Sequence, residues 1–195
     1  AATITVDGTA EPAWNNADVA RSPDKASDVT DANADAIDCF ITDDCTNLFV
    51  RIDVSGTISA TSGGNTYIVY LDTDRNVSTG ETNWYNTVGA DYRIHLWGSG
   101  GTVWQYDLDQ WSGTAWNTIS QTVSHAYSGG VLEMSIPLSS IGSPSGVVDF
   151  AFRLDGASSN DFNNDSSADP ITYAVCGGSG ISIDGVLGDW DGTET

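Results

Sequence analysis

Apolar and polar residues alternate with a period of two along most of this chain. In NLFVRIDV (47–54), Leu48, Val50, Ile52 and Val54 share one face, and Phe49, Arg51 and Asp53 take the other. DYRIHLW (91–97) sets Tyr92, Ile94 and Leu96 against Arg93, His95 and Trp97. VLEMSIP (131–137) sets Leu132, Met134 and Ile136 against Glu133 and Ser135. VVDFAFRLD (147–155) sets Val148, Phe150, Phe152 and Leu154 against Asp149 and Arg153. Alternation of this kind predicts half-buried strands. NTYIVYLD (65–72) is apolar on both faces, which predicts a central strand covered on each side. Further strands are expected at 3–6, 36–42, 102–108, 116–126 and 171–175. Gly, Asn, Asp and Ser clusters separate them at 55–64, 73–90, 98–101, 127–130 and 155–170. No window carries the 3.6-residue period of a long amphipathic helix, and PLSSIG (137–142) has room for a single turn. About ten antiparallel strands with turns between them predict an all-β, two-sheet antiparallel β-sandwich, jelly-roll-like.

The end of the chain repeats its beginning. ATITVDGTAEPAW (2–14) and GISIDGVLGDW (180–190) both read apolar-polar-apolar-Asp-Gly, a few residues, then Trp. Gly-Gly-Ser-Gly at 177–180 reads as a flexible linker, with fifteen residues after it. So short a segment cannot bury a core alone. The expected organisation is a sandwich over 1–176, a linker over 177–180 and an orphan strand over 181–195, with Ile181, Ile183, Asp184, Gly185 and Trp190 as its assembly residues. That strand either opens the next module of a tandem array or is lent to a neighbouring copy.

Charge narrows the partners. There are 27 acidic and 6 basic residues, a net charge of -21, with Lys25 the single lysine. That balance argues against nucleic acid and anionic membrane, which need Lys/Arg patches, and favours bound cations or a saline surrounding. Nor does any stretch approach the ~20 apolar residues of a spanning helix. Arg51, Arg93 and Arg153 fall on outward strand faces with Asp53, Glu133 and Asp149. Cross-strand charge pairing is the expectation there, and an anion-binding face the lesser alternative.

Calcium is the cofactor that the acidic turns suggest. In LDTDRNVSTG (71–80), Asp72, Asp74 and Asn76 alternate where a strong strand ends, and Asp91 of GADY is placed to close the cage. Hard cations take six to eight oxygen ligands at close range. The competing reading is an Asx turn that caps a hairpin. DFNNDSSADP (161–170) repeats the pattern with Asp161, Asn163, Asp165 and Asp169, a second calcium candidate or a solvated loop.

Ala1-Ala2 looks like the residue of cleavage at a small-residue site, and the Gly/Ser/Thr/Asn-rich composition suits a secreted, extracellular or cell-surface protein. Of three cysteines, Cys39 and Cys45 are close enough in sequence for a short-loop disulfide; Cys176 paired with either is the alternative connectivity. Asn76 and Asn164 begin N-glycosylation tripeptides. Aromatic residues crowd the 84–116 region, where Trp84, Trp111 and Trp116 sit in Gly/Asn/Ser-rich contexts. Their exposure would suit glycan stacking, whereas burial would make them core. No nucleophile elbow, zinc-protease motif or phosphate loop is present, so the expected class is non-enzymatic.

Taken in order, VDGTAEPAW, NLFVRIDV, YIVYLDTDRNVSTG, GADYRIHLW and LEMSIPLSSIG resemble secreted β-sandwich domains related to family-nine carbohydrate-binding modules and DOMON-type domains. The resemblance covers most of 3–175. It implies a two-sheet sandwich, frequent calcium, and non-enzymatic roles in glycan binding or surface architecture. Asp72, Asp74 and Asn76 match the acidic turn of those domains, and Asp91 matches the Asp of their Gly-Ala-Asp-Tyr element. The expected function is a calcium-stabilised structural or adhesive unit of a surface assembly or filament. Its partners would be neighbouring copies or tandem domains of the same kind. The alternative is a polysaccharide-binding module of a secreted glycoside hydrolase.

Overall fold

The structure, a computed structural model, describes residues 4–82, 88–121, 123–157, 159–162 and 170–176. Among them the chain forms two antiparallel sheets. One holds β1 (Ala20–Pro23), β2 (Ala36–Asp43), β3 (Asn47–Val54), β8 (Ser124–Ser128) and β9 (Val131–Pro137), in the order β1-β2-β3-β9-β8. The other holds β4 (Asn65–Asp72), β5 (Tyr92–Ser99), β6 (Thr102–Trp111), β7 (Trp116–Ser120), β10 (Gly146–Asp155), β11 (Asn160–Phe162) and β12 (Ile171–Val175). Its path runs β11-β10-β4-β5-β6-β7, and β12 pairs with the opposite end of β10 from β11. Helical structure among the described residues is limited to 3-10 turns, one of them Leu138–Ile141, where PLSSIG has room for a turn.

The alternation in the sequence becomes the division between the core and the outer faces. Leu48, Val50 and Ile52 of β3 meet Val69, Leu71 and Ile94 of the other sheet in one buried cluster between the layers. The covered strand NTYIVYLD is β4. Tyr67, Val69 and Leu71 enter the inter-sheet core, whereas Ile68 and Tyr70 pack outward with Val88, Ala90 and Ala151 under Trp116. A strand apolar on both faces is therefore covered on both faces.

Three boundaries differ from the alternation pattern. The stretch 116–126 is divided between β7, which ends at Ser120 and joins one sheet, and β8, which begins at Ser124 and joins the other. β1 and β11 are too short, at 4 and 3 residues, to carry a period. Residues 4–6 are not a strand: they lead a cap that lies across the outer face of β2 and β3.

That cap places Glu133 differently from its expected outward position. Its register opposite Arg51 is as the alternation implies, but Arg51 Nε turns to Asp53 Oδ1 at 2.7 Å. Glu133 is completely buried beneath the N-terminal segment. Trp14 Nε1 donates to its Oε1 at 2.8 Å, and the backbone N–H groups of Asp7 and Gly8 donate to Oε2 at 3.1 and 2.9 Å. Burial raises the Glu133 pKa, and these three donors oppose the rise. Arg93 pairs across the strands with Asp109 as expected, whereas Arg153 bonds Asp155 along its own strand, each at 2.7 Å. Asp149 receives Arg75 from the acidic turn at 3.0 Å.

The disulfide joins Cys45 to Cys176, with Cα atoms 4.7 Å apart, and not Cys39 to Cys45. β2 is extended from Cys39 to Asp43 and turns the Cys39 side chain into the inter-sheet core, leaving Cys45 at the exposed turn that follows. The Cys39 thiol is free and fully buried, and burial pushes its pKa well up. β12 brings Cys176 to Cys45, so the bridge ties the two sheets together. Asp43 holds the junction by accepting from Cys45 N at 2.7 Å, the Tyr173 hydroxyl at 2.8 Å and Cys176 N at 3.0 Å. The linker 177–180 and the segment with Ile181, Ile183, Asp184, Gly185 and Trp190 lie outside the described residues.

Candidate cation sites and an exposed aromatic face

The acidic turn after β4 gathers three carboxylates. Asp72, Asp74 and Asp91 each offer an oxygen, all within 4.8 Å of one another. Asp72 ends β4 and is buried. Its oxygens accept from Asn76 N at 3.3 Å and Gly89 N at 3.1 Å. Burial raises its pKa against these donors, and Asp91 adds to the rise. Asp91 enters from the neighbouring strand, anchored by Asp91 N to Leu71 O at 2.9 Å; its Oδ2 accepts from Thr73 N and Thr73 Oγ1. Asp74 is exposed and accepts from Asn76 N at 2.9 Å and Thr79 Oγ1 at 3.0 Å.

The turn is thus built as an Asx turn and also converges carboxylates, so the two readings of the sequence are compatible. Asn76 directs its side-chain oxygen to Ser78 N at 3.1 Å, and its backbone oxygen accepts from Thr79. It is exposed, as a glycosylation acceptor requires; Asn164 lies outside the described residues. A Cβ on Gly89 would come 2.3 Å from Thr79 O, so the close approach of 88–90 to the turn requires glycine there.

Asp161 joins a cluster that the spacing in DFNNDSSADP did not indicate. Its proposed companions Asn163, Asp165 and Asp169 are outside the described residues. Among the described residues, Asp28 and Asp35 stand beside it, again with one oxygen each within 4.8 Å. Asp35 and Asp161 are both 1% exposed. Asp161 accepts from Ala36 N at 2.6 Å and Phe162 N at 2.8 Å; Asp35 accepts from Ser27 N at 2.8 Å. Burial, with Asp24 and Asp28 adding negative potential, lifts the Asp161 pKa to about 7. The residues missed from sequence, Asp28 and Asp35, lie in SPDKASDVTDANAD, whose acidic spacing resembles an ordinary solvated loop.

Both clusters offer hard oxygen ligands of the kind calcium prefers, and in each a buried carboxylate bears like charges at close range. A divalent cation there would replace repulsion with attraction. The third group, Asp43 with Cys45 and Cys176, differs: its sulfurs are joined to each other and its carboxylate is filled by donors.

The aromatic residues divide in an unexpected way. Trp111 and Trp116 are cross-strand partners with centroids 5.3 Å apart, both half-buried. Trp116 packs against Tyr70 and lies under the Arg93 guanidinium, 4.8 Å away, so it belongs to the outer-face packing. Among the described residues the exposed pair is Trp97 and Trp104, 36% and 60% exposed, centroids 5.8 Å apart. Trp84 is outside the described residues. Alternation alone puts Trp97 outward; no sequence cue distinguishes Trp104 from the others.

Compared with protein-family models, curated proteins and solved structures, the chain matches none.

Proposed function

We propose that this chain is a non-enzymatic, extracellular, calcium-stabilised β-sandwich module that serves as a structural or adhesive unit of a surface assembly or filament, linked through its C-terminal segment. The observation that carries the reading is the packing of residues 4–14. Ile4 and Trp14 are buried in a cluster with Phe40 and Phe49 on the outer face of a sheet. The tail repeats that element in sequence, so it has the composition of a piece that needs a sheet to pack on. Two acidic clusters on a chain of charge -21 support calcium as the stabilising ion, and the bridge between Cys45 and Cys176 suits an oxidising compartment. Neighbouring copies or tandem domains of the same kind are the partners. Negative-stain imaging in calcium tests the assembly: intact protein forms extended objects, and protein lacking 177–195 forms single particles. Extended objects from both would defeat the role of the tail. Melting with and without chelator tests the ion, and an unchanged melt removes calcium from the reading.

A second reading, carbohydrate binding, is favoured by the exposed Trp97/Trp104 pair, since ring faces held open to solvent suit stacking on sugars. Glycan-array binding that Trp104→Ala abolishes without lowering stability would support it; no binding in calcium would reject it.

A further inference from the structure

We infer that residues 181–190 are a second copy of the N-terminal cap and that they take the Glu133 seat on a neighbouring copy of the chain. The inference rests on the assembly reading above and names the surface that receives the tail.

The seat selects its occupant through a small number of positions. An apolar side chain at Ile4 and another at Val6 lie on Phe40 and Phe49. At Gly8 the backbone has φ +80, and a Cβ would stand 2.7 Å from the backbone carbon of Tyr127, so the position admits glycine. The Asp7 side chain accepts from Thr9 N at 2.8 Å and sets the turn that aims Asp7 N and Gly8 N at Glu133 Oε2. Trp14 fills the remaining space, 1% exposed, with its indole N–H on Glu133 Oε1. Both oxygens of the fully buried Glu133 side chain are occupied, and three N–H donors converge on them where no water competes.

Residues 181–190 supply each of these in order: Ile181, Ile183, Asp184, Gly185 and Trp190. Ordinary strand-turn sequence has no reason to place a tryptophan after Asp-Gly in both copies; a seat that needs glycine against Tyr127 and an indole against Glu133 does. Five residues separate Gly8 from Trp14 and four separate Gly185 from Trp190, and the shorter spacer contains Gly188, which gives its backbone the latitude to close the same span. The tail itself lies outside the described residues, so the correspondence is between its sequence and the geometry of the seat.

Each chain therefore has one described seat and two segments suited to it. Its own cap holds the seat at the high effective concentration of a short tether. A tail enters only by displacing the cap of the copy it joins, so loosening the cap favours linkage between copies.

The test uses the 195-residue chain carrying Trp14→Ala and Trp190→Ala, in which neither resident segment competes strongly. A synthetic peptide of residues 177–195 is titrated into it by calorimetry, beside a peptide of residues 1–16 as the reference occupant. The tail peptide is expected to bind saturably, at least tenfold more weakly when the chain also carries Glu133→Gln, and not at all when the peptide carries Gly185→Val or Trp190→Ala. Binding of the reference peptide without binding of the tail peptide overturns the inference. Failure of both overturns it too, because the seat then accepts no added segment. In a second arm, Trp14→Ala alone should raise the concentration-dependent mass of the full chain; a mass that stays that of a single chain contradicts linkage between copies. If deletion of 177–195 abolishes assembly while the tail peptide ignores this seat, the assembly reading survives and only the assigned seat fails.

Discussion

Replacing Asp161 with asparagine should change stability in a direction that depends on pH. In the folded chain its pKa is about 7 against an ordinary 3.8, a gap of roughly 3 units. Between those values the native state keeps a proton that the unfolded chain has released. Stability therefore falls as pH rises through this window and levels off above 7. At about 1.4 kcal/mol per unit, the ionised carboxylate costs the ion-free fold on the order of 4 kcal/mol at pH 8. Asparagine never ionises, but its amide cannot accept from both Ala36 N and Phe162 N as the carboxylate does, which costs about 1 kcal/mol at every pH. Asp161→Asn is thus expected to be about 1 kcal/mol less stable than the parent near pH 3, about equal to it near pH 4.5 and about 3 kcal/mol more stable at pH 8, all in chelator. Urea unfolding followed by tryptophan fluorescence across that range gives the difference curve. Other carboxylates titrate in both proteins and largely cancel. A flat curve would refute the reasoning, since it would mean that Asp161 is not held neutral among Asp24, Asp28 and Asp35. Added calcium should reverse the order at pH 8, because the parent alone keeps the full set of three carboxylates.

Other expected outcomes are simpler. Cys176→Ser removes a bridge between residues 131 apart in sequence and should lower stability by about 2–5 kcal/mol, measured as a shift in urea midpoint that reductant reproduces in the parent. Cys39→Ala should leave that reductant response in place. Trp14→Ala should cost about 3–5 kcal/mol as a buried aromatic lost from the outer face, and Gly8→Val about 2 kcal/mol or more through its left-handed backbone; thermal melts check both. Asp72→Asn should reduce the calcium-induced rise in melting temperature, leaving the share that the Asp28, Asp35 and Asp161 cluster supplies, while the two proteins melt within a few degrees of each other in chelator.

The fold was legible in the sequence where burial follows the period of the backbone. NTYIVYLD could be read as a strand covered on both faces because nothing else explains Ile68 and Tyr70 between Tyr67, Val69 and Leu71. The turn with Asp72, Asp74 and Asp91 was legible because a strand end and its neighbour are close whatever the rest of the chain does. What depends on long-range contact was not. Glu133 alternates like a solvent-facing residue, and only the return of Trp14 across 119 residues buries it. Asp161 meets Asp28 and Asp35 through the pairing of β11 with β10 and the approach of the 24–35 loop, neither of which has a periodic signal. The cysteines show the same limit. Nearness in sequence favoured Cys39 with Cys45, but the inward phase of β2 removed Cys39, and the last described strand delivered Cys176.

The central claim is that the sandwich is a unit that links to others through its tail. Sedimentation velocity over a range of protein concentrations in calcium tests it most directly, comparing the intact chain with one ending at residue 176. The account predicts a mass that grows with concentration for the intact chain and the mass of one copy for the shortened one. A single-copy mass for both, or growth in both, would contradict it.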